Sequence, residues 1–293
     1  MNIIDPHVHM TSRTTDDYEA MAASGIVAII EPAFWLGQPR TSVGSFIDYF
    51  NSLLGWERFR ASQFGVQHFC TMGLNPKEAN SPRLASDVLD VLPRFLVKDG
   101  VVAVGEIGFD DQTDEEERVF GRQIELAREF NLPVLVHTPH RDKKRGTIRS
   151  LALIKSLGFP AERVLIDHNN EETLPVVLDS GCWAGHSIYP NTKMDEMRMA
   201  ALIKKYGSDR IIVNSAADWG ISDPLKVPKT VDVMREEGIH DDTIRRVVWE
   251  NPTAFFAQSG RFEVVDTGTK PAVDRTQKFE ANSVLRGEQL VRR

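Results

Sequence analysis

The chain has 293 residues, of which 41% are hydrophobic, so it can bury the core of one α/β barrel or of two smaller domains. Its formal charge of -7 argues against a surface that binds nucleic acid broadly or seeks membranes, although it leaves room for a small basic patch. The sequence has no secretory leader and no apolar run of about 18 residues, so we expect a cytoplasmic protein without a membrane span. Cys70 and Cys182 lie in separate apolar runs and are expected to be buried thiols rather than a disulfide.

Short runs rich in Val and Ile alternate with amphipathic segments along most of the chain. The runs, each too short for an ordinary helix, are 3–9, 27–31, 69–74, 101–106, 134–137, 164–168, 182–188 and 211–215. The helical segments between and after them are 16–23, 45–62, 86–97, 114–130, 147–157, 171–179, 195–206 and 227–237, followed by 241–249 and 251–257. Because no linker interrupts this alternation, the sequence predicts a (β/α)8 TIM-type barrel over 1–261 rather than two doubly wound domains.

The last part of the chain, 262–293, departs from this pattern. It has no sustained period of a helix or strand, and its charges, Gly and Pro are mixed with isolated apolar residues. We therefore predict an extended C-terminal tail. Its apolar residues Phe279, Val284 and Leu285 could dock on the barrel or on a neighbouring subunit, and the latter would give a homo-oligomer.

Side chains that bind metals fall where the predicted strands end, which in such a barrel is the face that gathers residues from all strands. These side chains are His7, His9, Glu106, His137, His168 and Asp218. On its own the first pair could be a chance pair of histidines, but the six together predict a metal site. Imidazoles and carboxylates suit zinc foremost, with manganese, nickel and magnesium as alternatives.

The predicted chemistry is hydrolysis at a binuclear site. The two oxygens of Glu106 can bridge two divalent ions about 3.5 to 4 Å apart, and such ions convert a shared water to hydroxide at neutral pH. Asp218 would then take the proton from the water and deliver it to the leaving group. An ester, amide or phosphoester bond is the expected target of this metal-bound hydroxide.

Four motifs together resemble those of the TatD family of metal-dependent hydrolases, in the amidohydrolase superfamily. They are Asp5-Pro-His-Val-His9, Val104-Gly-Glu-Ile-Gly-Phe-Asp110, Pro133-Val-Leu-Val-His137 and Ile166-Asp-His168, and the similarity spans about residues 1–257. The resemblance implies that His7 and His9 bind one metal, that His137 and His168 bind the other, and that Glu106 lies between them.

The chain departs from the family pattern at two positions. Ala216 stands where TatD proteins usually have an aspartate, so Asp218 must reach the site from two residues later. Asn75, in Gly73-Leu-Asn75-Pro76, replaces the imidazole of the family's Gly-x-His-Pro motif and is expected to face the substrate. Both changes argue against DNA cleavage. Segments 73–80, 218–225 and 282–287 are more similar to the EboC-type branch, which is often associated with metabolite pathways.

The expected substrate is therefore a small molecule, with an anion as one option, and nucleic acid is the less favoured partner. Three alternatives to the small-molecule hydrolase stay open at this point. They are a TatD-type DNase, a metal-dependent decarboxylase of the same superfamily, and a metal-binding scaffold without catalysis.

Several further residues are candidates for substrate binding. His140 and Arg141 lie on a cationic loop after the fifth strand, which could hold a phosphate or carboxylate or could simply be a solvated helix entry. Trp219, together with Phe34, Trp35 and Phe109, follows a strand end and could wall an apolar pocket or pack within loops.

Four other polar residues are placed by their positions in or near the predicted strands. His186 could point into the mouth of the barrel or form hydrogen bonds inside it. His68 precedes the predicted third strand, at the face away from the site. Asp167 should point away from His168 and pair with a helix, whereas Asp5 shares the face of His7 and could support it or line the barrel interior.

Overall fold

The computed structural model describes residues 1–266 and 268–271. Eight parallel strands form one sheet in which each strand pairs with the next in chain order. They are β1 (Ile3–Asp5), β2 (Ile26–Pro32), β3 (Gln67–Met72), β4 (Val101–Gly108), β5 (Val134–His137), β6 (Val164–Ile166), β7 (Trp183–Ser187) and β8 (Ile211–Asn214). The (β/α)8 barrel predicted from the alternation is confirmed.

The first and last strands are joined by backbone contacts just beyond their carboxyl ends. The Ala216 N–H donates to the His7 carbonyl, and the His9 N–H donates to the Ala217 carbonyl, both at 2.8 Å. These two hydrogen bonds form a seam between β1 and β8. The seam lies at the face of the barrel where the candidate ligands are found.

Helices follow the strands around the outside of the barrel. They are α1 (Thr15–Ala23), α2 (Val43–Ser52), α3 (Arg58–Ser62), α4 (Pro82–Val91), α5 (Pro93–Leu96), α6 (Asp114–Glu129), α7 (Lys143–Ser156), α8 (Leu174–Ser180), α9 (Glu196–Tyr206), α10 (Lys226–Glu236), α11 (Asp241–Arg245) and α12 (Asn251–Ala257). Two of the predicted long helices are divided. A π-helical turn, Leu53–Glu57, separates α2 from α3, and Pro93, which has no N–H to donate, begins a new helix after α4.

The interior of the barrel is apolar below the site. Residues two apart on a strand share a face, so Leu135 lies beneath His137 and Ile212 lies beneath Asn214. Inward-facing residues of the other strands complete this cluster, and Phe255 and Phe256 of α12 pack into it from the amino end. The polar groups of the site therefore rest on an apolar floor.

The segment after α12 covers the amino end of the barrel. The ring of Phe262, which is 4% exposed, lies 4.6 Å from that of Phe69 and 5.8 Å from that of Phe256. Further along, Asp266 forms an ion pair with Arg245 at 2.6 Å. The start of the predicted tail thus lies on the side opposite the site. The tail residues Phe279, Val284 and Leu285 lie outside the described residues, and the boundary at 261 stays a prediction.

Candidate metal centre and active site

Five of the predicted ligands meet at the carboxyl end of the barrel. His7, His9, Glu106, His137 and His168 are each no more than 6% exposed. Oε1 of Glu106 lies 3.0 Å from Nδ1 of His137 and 3.1 Å from Nε2 of His168. The Nε2 atoms of His7 and His9 are 3.0 Å apart, and that of His7 lies 3.7 Å from Glu106 Oε1. Four strand ends therefore supply one compact cluster.

The cluster fits a divalent metal ion. His7, Glu106 and His168 each offer one ligand atom, and these three atoms lie within 4.8 Å of one another. Nε2 of His137 is buried and has no hydrogen-bond partner in residues 1–266 and 268–271. Imidazole nitrogens around a carboxylate are the donor set that zinc, manganese and nickel accept.

The electrostatics of the cluster favour the ligand forms of His9, His168 and Glu106. For His7, burial lowers the pKa, but Glu106 and Asp167 raise it above the usual value. Burial lowers the pKa of His9 and of His168 well below the usual value, so both imidazoles are neutral at pH 7 and keep a free lone pair. Burial would raise the pKa of Glu106, but the nearby His137 and His7 hold it well below its usual range. The carboxylate is therefore ionised.

The local backbone differs from the prediction at two of these ligands. β1 ends at Asp5, so His7 and His9 lie in the bend after the strand rather than within it. Their side chains still converge because the seam anchors the backbone at both residues. β6 ends at Ile166, and His168 has a left-handed φ of 59°.

Asp167 supports the cluster from behind, which corrects the prediction that it would face a helix. Its Oδ2 lies 2.5 Å from Nδ1 of His7, and its carboxylate accepts two hydrogen bonds from Asn214 Nδ2, at 3.0 and 3.2 Å. Burial would raise the pKa of Asp167, but His168 and His7 hold it far below its usual range. A Cβ atom at Gly185 would collide with this carboxylate, so glycine is required there.

The same network continues to the other side of the cluster. Ser187 Oγ donates to Asn214 Oδ1 at 2.7 Å and lies 2.6 Å from Nδ1 of His168. His7 and His168 are thus oriented through one chain of buried polar groups. Asp5 also contributes, since its Oδ1 accepts the N–H of His7 at 3.3 Å and that of Ser215 at 3.2 Å.

Asn75 faces the cluster, as the motif comparison predicts, and touches Glu106 directly. Its Nδ2 donates to Oε2 of Glu106 at 3.0 Å, and its side chain lines the cavity above the cluster. The two carboxylate oxygens of Glu106 therefore have different partners. Oε2 accepts a hydrogen bond from the Asn75 amide, and Oε1 faces the imidazoles. This contact fixes the orientation of Glu106.

Ala216 and Asp218 both line the cavity, but Asp218 is held in its wall. Oδ1 of Asp218 accepts the Tyr189 hydroxyl at 2.8 Å and the Gly220 N–H at 2.7 Å. Among the described residues, no hydrogen bond or ion pair joins Asp218 to any of the five ligands of the cluster. Ala216, with a φ of 44°, is part of the seam through its N–H. The structure therefore brings Asp218 to the rim of the site and not into the cluster itself.

The cavity above the cluster has a volume of about 180 Å³. One wall is aromatic: the ring of Phe34 stacks on His9 at 3.8 Å, and Trp35 lies 5.8 Å from Trp219. The predicted aromatic wall therefore includes Trp219. Phe109 is not part of it, because its buried ring packs on Phe120 instead.

Of the two candidates on the cationic loop, the structure brings only His140 to the cavity. Burial and the neighbouring His137 lower the pKa of His140 to about 4, so it is a neutral hydrogen-bonding group. The side chain of Arg141 is 83% exposed and pairs with Asp111 outside the cavity. The expectation that Arg141 lines the substrate site is not met, because its side chain extends into solvent.

Two other histidines lie away from the cavity. His186 is fully buried in β7 and does not line the cavity. It shares the strand face of Ala184, which packs in the cluster between the sheet and the helices, so it faces the helices and neither the mouth nor the barrel interior. His68 lies within β3 rather than before it, and its Nε2 is 2.9 Å from Oε2 of Glu31. Neither residue contacts the ligand cluster.

Two lysines that the sequence did not single out line the cavity. The Lys77 ammonium donates to Asp110 at 2.8 Å. Lys193, between β7 and α9, is the second. Burial lowers the pKa of Lys193, against the opposing effect of Glu106, Asp167 and Asp218. Lysines in loops carry no sequence signal for a site, since most of them are solvated.

The barrel with a histidine and glutamate cluster at its carboxyl end defines the class of metal-dependent hydrolases, and comparisons with known proteins identify the family. The model of TatD related DNases matches residues 4–257. The chain therefore belongs to the TatD family and is an enzyme. No helix in the described part of the chain is long and apolar enough to cross a membrane.

Individual relatives agree with this membership. An uncharacterized metal-dependent hydrolase of Methanocaldococcus jannaschii is 29% identical over 257 residues, covering 87% of this chain and 99% of that protein. The 3′-5′ ssDNA/RNA exonuclease TatD of Pantoea ananatis is 25% identical over 160 residues, covering 52% of this chain and 60% of that protein. The crystal structure of a TatD-like protein from Archaeoglobus fulgidus superposes with a TM-score of 0.72 at 28% identity, covering 86% of this chain and 99% of that one.

Proposed function

We propose that the enzyme holds two divalent ions, zinc foremost, and hydrolyses a phosphoester, ester or amide bond of a small molecule. The observation that carries this proposal is that Oε1 of Glu106 faces imidazoles on both sides, His137 and His168 at 3.0 and 3.1 Å and His7 at 3.7 Å. His7 and His9 would hold one ion, and His137 and His168 the other. When bound, the two ions would activate a water and polarise the bond to be cleaved.

The residues of the chain have separate tasks in this proposal. Asp167 orients His7, and Ser187 orients His168, so that the opposite ring nitrogens face the ions. Asn75 holds Glu106 in place. Asp218, fixed by Tyr189 at the rim of the cavity, moves the proton from water to the leaving group.

Among the three bond types, a phosphoester has the most support. Relatives that match the chain are named deoxyribonuclease or exonuclease, and such enzymes cleave phosphodiesters. The second candidate function, removal of nucleotides from a single-stranded end, rests on those names. The cavity of about 180 Å³ favours a small substrate, because pockets that enclose whole ligands usually measure about 300 to 1,000 Å³.

Placement in the EboC-type branch belongs to the same proposal. Asn75 and Ala216, where the family usually has histidine and aspartate, support a substrate other than DNA. A role in metabolite biosynthesis follows from that placement and stays a prediction. The cytoplasmic location and a homo-oligomer formed through the tail stay separate predictions. Family membership favours a hydrolase over a decarboxylase or a scaffold without catalysis.

The test begins with metal content. Protein purified after growth with zinc and manganese should contain about two ions per chain, and His9→Ala should lose at least one of them. His240→Ala is the matched control, because His240 is 77% exposed and distant from the cluster. Fewer than one ion per chain in the unaltered protein would reject the binuclear site.

The second part of the test separates the two candidate substrates and the role of Asp218. Aryl phosphates and a labelled single-stranded oligonucleotide are compared with each metal. Asp218→Asn should retain both ions and lose about 100-fold or more in kcat, as removal of a general acid or base does. Hydrolysis at the original rate in Asp218→Asn would exclude the proton-transfer role. Faster cleavage of the oligonucleotide than of every small ester would favour the exonuclease.

A further inference from the structure

Lys193 is a cation of the cavity that forms no ion pair with any residue in the described part of the chain. It follows β7 on the loop that leads to α9, and its side chain lines the cavity beside Asp218. Its Nζ lies 5.0 Å from the centre of the Tyr189 ring. Within the part of the chain that the structure describes, this ammonium has neither a hydrogen-bond acceptor nor a carboxylate at ion-pair distance.

Three other basic side chains near the mouth already have partners. Lys77 pairs with Asp110 at 2.8 Å, and Lys143 donates to the Thr138 hydroxyl at 3.0 Å. Arg141 pairs with Asp111 in solvent. Lys193 therefore differs from its neighbours in that its charge remains available to something that enters the cavity.

Folding gives no reason for this arrangement. Lys193 is half-buried, and a charge partly withdrawn from water is unfavourable unless it is paired or hydrogen-bonded. The carboxylates of Glu106, Asp167 and Asp218 act on Lys193 electrostatically, yet each is committed elsewhere by short hydrogen bonds. An anionic group bound between Lys193 and the ligand cluster would supply the missing partner.

The indole rings of Trp35 and Trp219, which line the cavity, indicate the chemistry of the rest of such a ligand. Trp35 and Trp219 meet at 5.8 Å with an interplanar angle of 69°, and Trp219 is 50% exposed at the entrance. Aromatic walls of this kind favour contact with flat rings. Among the described residues, the cavity thus combines the unpaired ammonium of Lys193 with an aromatic entrance.

We propose that Lys193 selects the substrate by charge: it binds an anionic oxygen of a phosphoryl group, whose flat leaving group contacts Trp35 and Trp219. This inference rests on the proposed function, since it names the substrate class of the same site. In the reaction, the oxygen of water bonds to phosphorus while the bond from phosphorus to the leaving oxygen breaks, and the proton passes to that oxygen. Lys193 binds the group and exchanges no proton with it.

Binding of inorganic phosphate tests the anion site without turnover. Titration calorimetry on the metal-loaded protein should show phosphate binding about 10- to 100-fold weaker in Lys193→Met, the loss typical of a hydrogen bond to a charged group. Lys193→Arg should restore most of the affinity. Lys144→Met is the control, because Lys144 is an exposed lysine that does not line this cavity. Equal phosphate affinity in Lys193→Met and the unaltered protein would overturn the proposal.

Two substrates with one leaving group test charge selection in catalysis. Lys193→Met should reduce kcat/KM for p-nitrophenyl phosphate about 10- to 100-fold and leave that for neutral p-nitrophenyl acetate within about threefold. The same loss on both substrates would mean that Lys193 has a general structural role and would overturn the proposal. An aryl monoester and an aryl diester, compared in parallel, distinguish the two sources of the phosphoryl group.

The two proposals can fail separately. If the unaltered protein hydrolyses neither ester but binds phosphate through Lys193, the proposed hydrolysis fails and the anion site stands. If it hydrolyses both esters and Lys193→Met changes neither the rates nor phosphate binding, the hydrolase stands and the charge selection fails.

Discussion

Oδ2 of Asp167 lies 2.5 Å from Nδ1 of His7, and this contact decides which nitrogen of the imidazole faces the cavity. A carboxylate in this position keeps the proton on Nδ1 and leaves Nε2 free as a ligand. Asp167→Asn should therefore weaken binding of the metal ions about 10- to 100-fold. Competition with a coloured chelator at pH 7 measures this loss.

The control for this change is Asp87→Asn, since Asp87 is exposed on α4. Urea unfolding of the metal-free proteins shows whether Asp167→Asn also lowers the free energy of unfolding of the whole protein, or changes only the orientation of His7 as a metal ligand. Unchanged metal affinity in a folded Asp167→Asn protein would contradict the role assigned to this contact.

Replacement of Ala216 by aspartate should create an additional ligand. Ala216 lines the cavity beside the seam, and its φ of 44° is a conformation that aspartate tolerates better than most residues. We expect Ala216→Asp to fold and to bind the metal ions about 10-fold more tightly, because a carboxylate joins the site. Ala216→Asn, which adds a similar volume without charge, is the comparison. Equal affinities in the two variants would show that the new side chain does not reach the ions.

Lys143 gives the stability of the protein a pH dependence in the alkaline range. Burial lowers its pKa to about 8 from an ordinary 10.5, and Lys193 adds to this effect. Between these two values the unfolded chain binds a proton that the folded protein has released, so this group makes folding more favourable as the pH rises from 8 to 10.5.

Substitution isolates that contribution. Lys143→Met should be more stable than the unaltered protein below pH 8, and the advantage should shrink as the pH rises towards 10.5. Urea unfolding at intervals across this range measures the difference, with Lys144→Met as the exposed control. A difference that does not vary with pH would exclude Lys143 as its source.

Phe262 should contribute strongly to stability although it lies beyond α12. Its ring is 4% exposed and packs on Phe69 and Phe256 at the amino end of the barrel. Phe262→Ala should lower the free energy of unfolding by about 3 kcal/mol, as loss of a buried aromatic ring does. Val265→Ala, at a side chain that is 73% exposed, should have little effect. A loss below about 1 kcal/mol would show that the segment does not close the barrel.

The barrel was predictable because its strands and helices have different periods. Runs such as 134–137 and 164–168 are too short for helices, and α6 carries acidic residues in its first turn after the cap at Thr113. The helix breaks at Pro93 and at the π-helical turn Leu53–Glu57 were not predicted, because the amphipathic pattern continues almost unchanged through both. The core elements therefore followed from the sequence, and their interruptions did not.

The ligand cluster was predictable from strand ends alone, because every parallel strand of a barrel delivers its last residue to one face. What escaped the sequence depends on backbone turns after those ends. Asp167 reaches His7 because it shares the inward face of Leu165 in β6. The prediction that it would face a helix assumed that His168 continues the strand, whereas β6 stops at Ile166 and a left-handed turn at His168 brings that side chain to the same site. The loop position of Lys193 depends in the same way on a turn.

The seam between β1 and β8, which closes the barrel, includes two residues of the candidate metal site. Its hydrogen bonds, from Ala216 to His7 and from His9 to Ala217, connect segments near the two ends of the barrel sequence. Such a distant contact closes a very long loop, whose entropy opposes closure. Ions held by His7 and His9 would bind only the closed ring and would shift the folding equilibrium towards it. Loading with metal would then complete the scaffold as well as the catalyst, and an unloaded chain would open first at its own active site.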